Sequence, residues 1–150
     1  MAVRFTPGGV LRVPLPDDDV AHAVMLAVSP YVAFYGGEEG FAENRLPDRP
    51  PLFVLAVQKN AYSTGGWGSI LFRVREADLP EIPLFYRQDA MRPQDCEIVN
   101  ARGATRKATP AECAGLERSA VWAAPHVESR LSDHFANRPN AFVESMKLKP

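Results

Sequence analysis

The stretch from Gly115 to Phe142, GLERSAVWAAPHVESRLSDHFANRPNAF, constrains the fold more than any other, because it specifies a long amphipathic helix. Pro125 suits a first helical position: its φ is already fixed, and the amide hydrogen it lacks would have no helical partner there. Val127, Leu131 and Phe135 recur every four residues and form one apolar stripe. Glu128, Arg130, Ser132 and Asp133 fall largely on other faces, as expected of a helix lying on a core with its back in water. Asn137, which tolerates a left-handed C-cap, and Pro139 close the helix. Trp122, just upstream, is large enough to tie the helix to what precedes it.

What precedes it reads as a sheet. Pro7, Gly8 and Gly9 make a turn, after which Leu11, Val13 and Leu15 alternate with Arg12 and Pro14. Pro14 cannot donate to a ladder, so this strand belongs at an edge or has a solvent-facing amide position there. Beyond the acidic turn Asp17-Asp18-Asp19, the run Val20 to Val28 is apolar on both faces and predicts a doubly packed strand in a hairpin with the first. Tyr31 to Tyr35 is a third strand. The Glu-, Gly- and Pro-rich segment 37–51 has no periodicity and reads as a mobile loop. Phe53 to Tyr62 predicts a strand, and Ser63-Thr64-Gly65-Gly66-Trp67-Gly68 a turn that either brings backbones close or presents the indole outward. Ser69 to Arg75 alternates, with Ile70, Phe72 and Val74 inward. Leu84 to Tyr86 and Glu97 to Val99 are further short strands. Thr109-Pro110-Ala111-Glu112 is a capping box that opens a short helix ending at Gly115. Strands first and helices last predict an α+β domain: a strongly bent, mainly antiparallel sheet, barrel-like at the extreme, with the C-terminal helix packed across it.

At 150 residues the chain is one domain able to bury a core without a metal or disulfide. Its formal net charge of -1 provides no footprint for non-specific nucleic-acid binding. No apolar run approaches the ~20 residues that span a bilayer, and MAVRFTPGGV has no signal-peptide h-region, so a cytoplasmic protein is expected. Cys96 and Cys113 have neither CxxC spacing nor histidines nearby, and read as buried thiols.

Taken in turn, the constellations yield no catalytic residue, no metal ligands and no cofactor site. His126, Arg130 and His134 form a polar helix stripe, but the two histidines stand about 12 Å apart at the helical rise, too far to share one ion. Asp133 and His134 are helical neighbours that do not face each other, and there is no GxSxG elbow. His22, on an apolar strand face, needs an acid-base partner before it can act as a general base. The Gly65-Gly66-Trp67-Gly68 turn matches no phosphate-binding pattern. The acidic turn at Asp17-Asp18-Asp19 lacks the rest of a calcium loop. Arg87, Asp89 and Arg92 make either an ion-pair cluster or a partner-facing patch.

Several segments together resemble the immunity protein 26 family of bacterial polymorphic-toxin systems. They are Gly9-Val10-Leu11-Arg12-Val13-Pro14-Leu15, Tyr31-Val32-Ala33-Phe34-Tyr35, Phe53-Val54-Leu55-Ala56-Val57 leading to Ser63-Thr64-Gly65-Gly66-Trp67, and Phe85-Tyr86-Arg87-Gln88-Asp89. The likeness is most specific across Arg106 to Glu117, Ala120-Val121-Trp122, His126-Val127-Glu128, Arg130-Leu131 with Asp133-His134, and Pro139-Asn140. Asp17-Asp18-Asp19 and Gly36-Gly37 depart from the family's pattern. The resemblance implies a non-enzymatic protein that binds and occludes a cognate toxin, with no membrane or nucleic-acid partner. It carries no catalytic residues over. Trp67, Arg87 and Arg130 are then candidate anchors, with Asp89, His126 and His134 as further partner-facing candidates. Two alternatives stand beside it: a small ribonuclease on a bent sheet, using His22, and a peptide- or small-ligand-binding module built on an open apolar groove beside Trp67.

Overall fold

A computed structural model describes residues 2–16, 19–37, 39–64 and 66–150. Asp17 and Asp18 of the expected acidic turn, Glu38 of the 37–51 segment and Gly65 of the glycine-tryptophan turn lie outside the described residues. The fold is α+β and mainly antiparallel, as the order of patterns predicts. Its strands divide between two sheets, neither of which closes into a barrel.

The first sheet starts with β1 (Gly9–Pro14), β2 (Val20–Met25) and β3 (Tyr31–Tyr35), followed by a helical turn α1 (Glu39–Ala42) and β4 (Phe53–Val57). After α2 (Asn60–Ser63) comes β5 (Phe72–Arg73), a two-residue strand. The second sheet is built from β6 (Phe85–Gln88), β7 (Cys96–Val99), β8 (Thr105–Ala108) and, past α3 (Pro110–Cys113), β9 (Glu117–Arg118). The chain then returns to the first sheet as β10 (Val121–Trp122), and ends in α4 (Ala124–Phe135) and α5 (Ala141–Ser145). Strand order is β10-β4-β3-β2-β1-β5 in one sheet and β8-β7-β6-β9 in the other. Among the described residues only the β10–β4 and β6–β9 pairs are parallel.

The β1–β2 hairpin has the register Val10 opposite Val24 through Pro14 opposite Val20. Pro14 is tolerated because β5 meets β1 only at Gly9 and Val10, leaving the outer edge beyond them without a ladder. The doubly apolar β2 is buried on both sides. Ala21, Ala23 and Met25 join the core under α4, whereas Val24 and Leu26 join a second core with Tyr35, Phe41 and Val74. Val127 and Leu131 press α4 onto the first of these cores, each worth about 1.5–3 kcal/mol of burial.

Several local expectations are revised. The 37–51 segment contains α1, because Phe41 plugs the second core and stacks on His22 with ring centres 4.0 Å apart. Gly40 permits the tight return: a Cβ there would come within 2.8 Å of the Arg45 carbonyl oxygen. The strand expected to run to Tyr62 stops at Val57, since Ala61 and Tyr62 are buried from a helical turn. In the stretch 69–75, Ile70, Phe72 and Val74 do turn inward, yet only Phe72 and Arg73 pair as a strand. Helix α4 begins at Ala124, with Pro125 in its first turn, and Asn137 adopts the expected left-handed backbone at φ 56. Phe135 remains 37% exposed, so the buried stripe consists of Val127 and Leu131. The Thr109–Glu112 capping box is formed in full.

Candidate interaction surface

Where β5 diverges from β1, the two segments splay apart and leave an open groove of about 550 Å³. One wall is the outer edge of β1 from Arg12 to Leu15, and the other is the segment from Gly66 to Leu71. Alternation along β1 explains the opening. The Val10 carbonyl accepts from the Leu71 amide at 2.8 Å, so the backbone of Arg12, two residues on, faces the same side with no strand to meet it. Across the groove, Gly68, Ser69 and Ile70 make no backbone hydrogen bond among the described residues. Leu71 stands 54% exposed at the rim, the Arg12 guanidinium has no carboxylate partner among the described residues, and Asp19 supplies an acidic group on the same rim. The groove thus offers unpaired main-chain groups on both walls, one apolar contact and both signs of charge.

Trp67 closes the bottom of this groove but does not project from it. The indole is 1% exposed, lies edge-on to Phe34 with ring centres 5.8 Å apart, and donates from Nε1 to Glu128 Oε2 at 3.0 Å. It is a core residue, and its expected role as an exposed anchor is corrected. Phe34 offers an apolar wall and Glu128 accepts the one polar proton, which satisfies both ends of the ring.

Arg130 is also turned inward. Its side chain is 13% exposed, it binds Glu117 with both nitrogens of the fork at 2.8 and 2.9 Å, and it lies over Phe53 and Trp122. This pins α4 to β9 and β4, so Arg130 is a structural tie and not a partner-facing anchor. The polar stripe of the helix is therefore interrupted. His126 is exposed and stacks on Phe142 at 4.0 Å, while His134 is exposed beside Phe135.

Of the two readings of Arg87, Asp89 and Arg92, the described contacts do not show an ion-pair cluster among the three. Arg87 approaches Glu97 at 3.9 Å across β6 and β7. Asp89 Oδ1 accepts from the Met91 and Arg92 amides at 2.8 Å each and so holds a turn. His22 is nearly buried, its Nδ1 hydrogen-bonded to the Gly36 carbonyl at 3.0 Å beneath Phe41. A carbonyl only accepts, so Nδ1 carries the proton.

The sequence reading missed a second cleft, of about 500 Å³, between β9, α3 and α5, lined by Tyr86, Cys113, Leu116, Arg118 and Trp122. Its ionisable groups are already engaged. Tyr86 donates to the Met146 carbonyl at 2.6 Å, and burial pushes its phenol above the ordinary value, keeping it a donor at neutral pH. Burial, then the neighbouring Cys96, likewise pushes the Cys113 thiol up, away from the reactive thiolate form. Among the described residues there is no group of three or more His, Cys, Asp or Glu side chains placed to hold a metal ion, and no helix long and apolar enough to cross a membrane. Compared with known protein families, curated proteins and solved structures, the chain matches none.

Proposed function

We propose that the chain is an immunity protein that acts in the cytoplasm of the producing cell by binding a cognate protein toxin and covering its working surface. The observation that carries the reading is the two-walled groove between β1 and segment 66–71, with Arg12, Asp19 and Leu71 on its rim. The exposed side chains around it are not tied into the core, unlike Trp67 and Arg130. The segments that resemble the immunity protein 26 family include β1, one wall of this groove. A stable complex needs roughly 1,600 Å² of buried surface in total, so the groove would form the centre of a larger footprint. Exposed Leu71 supplies an apolar contact there, and the unpaired Arg12 backbone can take an added strand.

The test is whether a neighbouring gene encodes a secreted toxin and whether co-expression of this chain with it restores growth. Restored growth together with a stable complex on size exclusion is the expected result. Unrestored growth would remove the proposal.

A second reading, a peptide-binding module with no toxin, is favoured by the same groove, whose volume lies within the range of ligand pockets. It predicts peptide binding with no protection. The ribonuclease alternative draws on the strand-rich first half and on His22, whose ring is stacked with Phe41. RNA cleavage lost on His22→Ala would support it, and cleavage indifferent to that change would dismiss it.

A further inference from the structure

Residues 147–149 leave the C-cap of α5 at Met146, whose side chain packs against the first core, and run along the second cleft as a strap held largely through its main chain. The Met146 carbonyl accepts from Tyr86 Oη at 2.6 Å and from Arg118 Nε at 3.0 Å. Gln88 treats Lys149 as a neighbouring strand would: its Nε2 donates to the Lys149 carbonyl at 2.8 Å, and its Oε1 accepts from the Lys149 amide at 2.9 Å. Arg118 Nη2 donates to the same Oε1 at 3.3 Å, and Gln88 Nε2 also donates to the Pro93 carbonyl at 2.9 Å, which fixes the orientation of the amide.

One strap side chain is read as well. Leu148 packs against the cluster of Tyr86, Cys96, Ile98 and Cys113, beside Leu116. Lys147, Lys149 and Pro150 are exposed, and Leu148 is only half-buried. The cleft still has about 500 Å³ open along the strap, so its present occupant does not fill it.

We infer that this cleft is a binding site for an extended, leucine-bearing peptide segment of a partner, and that residues 147–149 occupy it as a displaceable strap. Main-chain recognition tolerates any sequence around the leucine, so specificity comes from one apolar pocket and an extended backbone. Because the strap is tethered, it competes at high effective concentration and keeps the site closed until it is displaced. The inference does not depend on the toxin reading, since it concerns a different face.

The probe is a fluorescein-labelled peptide of residues 145–150, titrated into the full-length chain and into its Leu148→Asp variant. Leu148→Asp frees the strap but keeps Tyr86, Gln88 and Arg118. Binding at least tenfold tighter to the variant than to the parent is expected, along with loss of that binding when the peptide itself carries Leu148→Asp. Faster tryptic cleavage after Lys147 in the variant should accompany it. A folded variant that does not bind the peptide, or a parent that binds equally well, overturns the inference. If the variant fails to fold, a chain ending at Met146 takes its place. Unfolding of both overturns the inference too, because the strap would then be part of the core.

Discussion

The guanidinium of Arg130 grips both carboxylate oxygens of Glu117, at 2.8 and 2.9 Å, while its flat face lies 4.0 Å from the centre of the Phe53 ring. One side chain thus joins α4 to an edge strand of the second sheet and to β4 of the first. Planarity allows both contacts at once, which a lysine could not reproduce.

Arg130→Ala should therefore destabilise the fold by about 2 kcal/mol, between the values for exposed and fully buried pairs because Glu117 is partly in water. Arg130→Lys should recover less than half of that. Urea midpoints at constant slope provide the measurement, and a loss below about 0.5 kcal/mol would place the pair among surface ion pairs.

Trp67 makes a comparable tie to the same helix, through its 3.0 Å bond to Glu128. Trp67→Phe keeps most of the apolar ring but leaves the carboxylate without its donor, for an expected cost of about 2 kcal/mol. Glu128→Gln retains an acceptor oxygen and should cost less than about 1 kcal/mol. A Glu128→Ala variant as stable as the parent would argue that the bond contributes nothing and that ring volume alone matters.

These two residues show which features sequence can and cannot reveal. The first three strands were legible because β1 alternates and β2 is apolar on both faces, and the Thr109–Glu112 box because all its partners lie within four residues. Trp67 lies among glycines, a setting that fits either an outward indole or a packed one; the neighbours that decide it, Phe34 and Glu128, come from distant parts of the chain. Arg130 sits at the border of the helix stripe, and only the assembled Phe53, Trp122 and Glu117 decide that it turns inward. Strands β9 and β10, at two residues each, are too short to show a period and pair with partners remote in sequence. The groove at Arg12 follows from where β5 stops, which no local pattern encodes.

The capping box predicts a pH dependence. The Thr109 amide, then Arg106, hold the Glu112 carboxyl below its ordinary value. A carboxyl with a lowered folded-state pKa stabilises fully above its unfolded value, about 4.3, and loses that contribution as pH falls through the lower folded value. Below pH 4, parent and Glu112→Gln stabilities should therefore converge, and above pH 5 the parent should be the more stable. Thr109→Ala should cost about 1 kcal/mol at neutral pH. Denaturant midpoints across pH 2.5–7 check both, and a difference between parent and Glu112→Gln that grows on acidification would contradict the assignment.

The rim of the β1 groove is the proposed toxin-binding surface. Arg12 and Leu71 are exposed there, so Arg12→Glu with Leu71→Asp should leave the thermal midpoint within a few degrees of the parent. The decisive measurement is growth of cells that express this double variant together with a toxin against which the parent chain protects. Loss of protection, with the folded variant present at parental levels, is the predicted result. Protection equal to the parent's would contradict the claim.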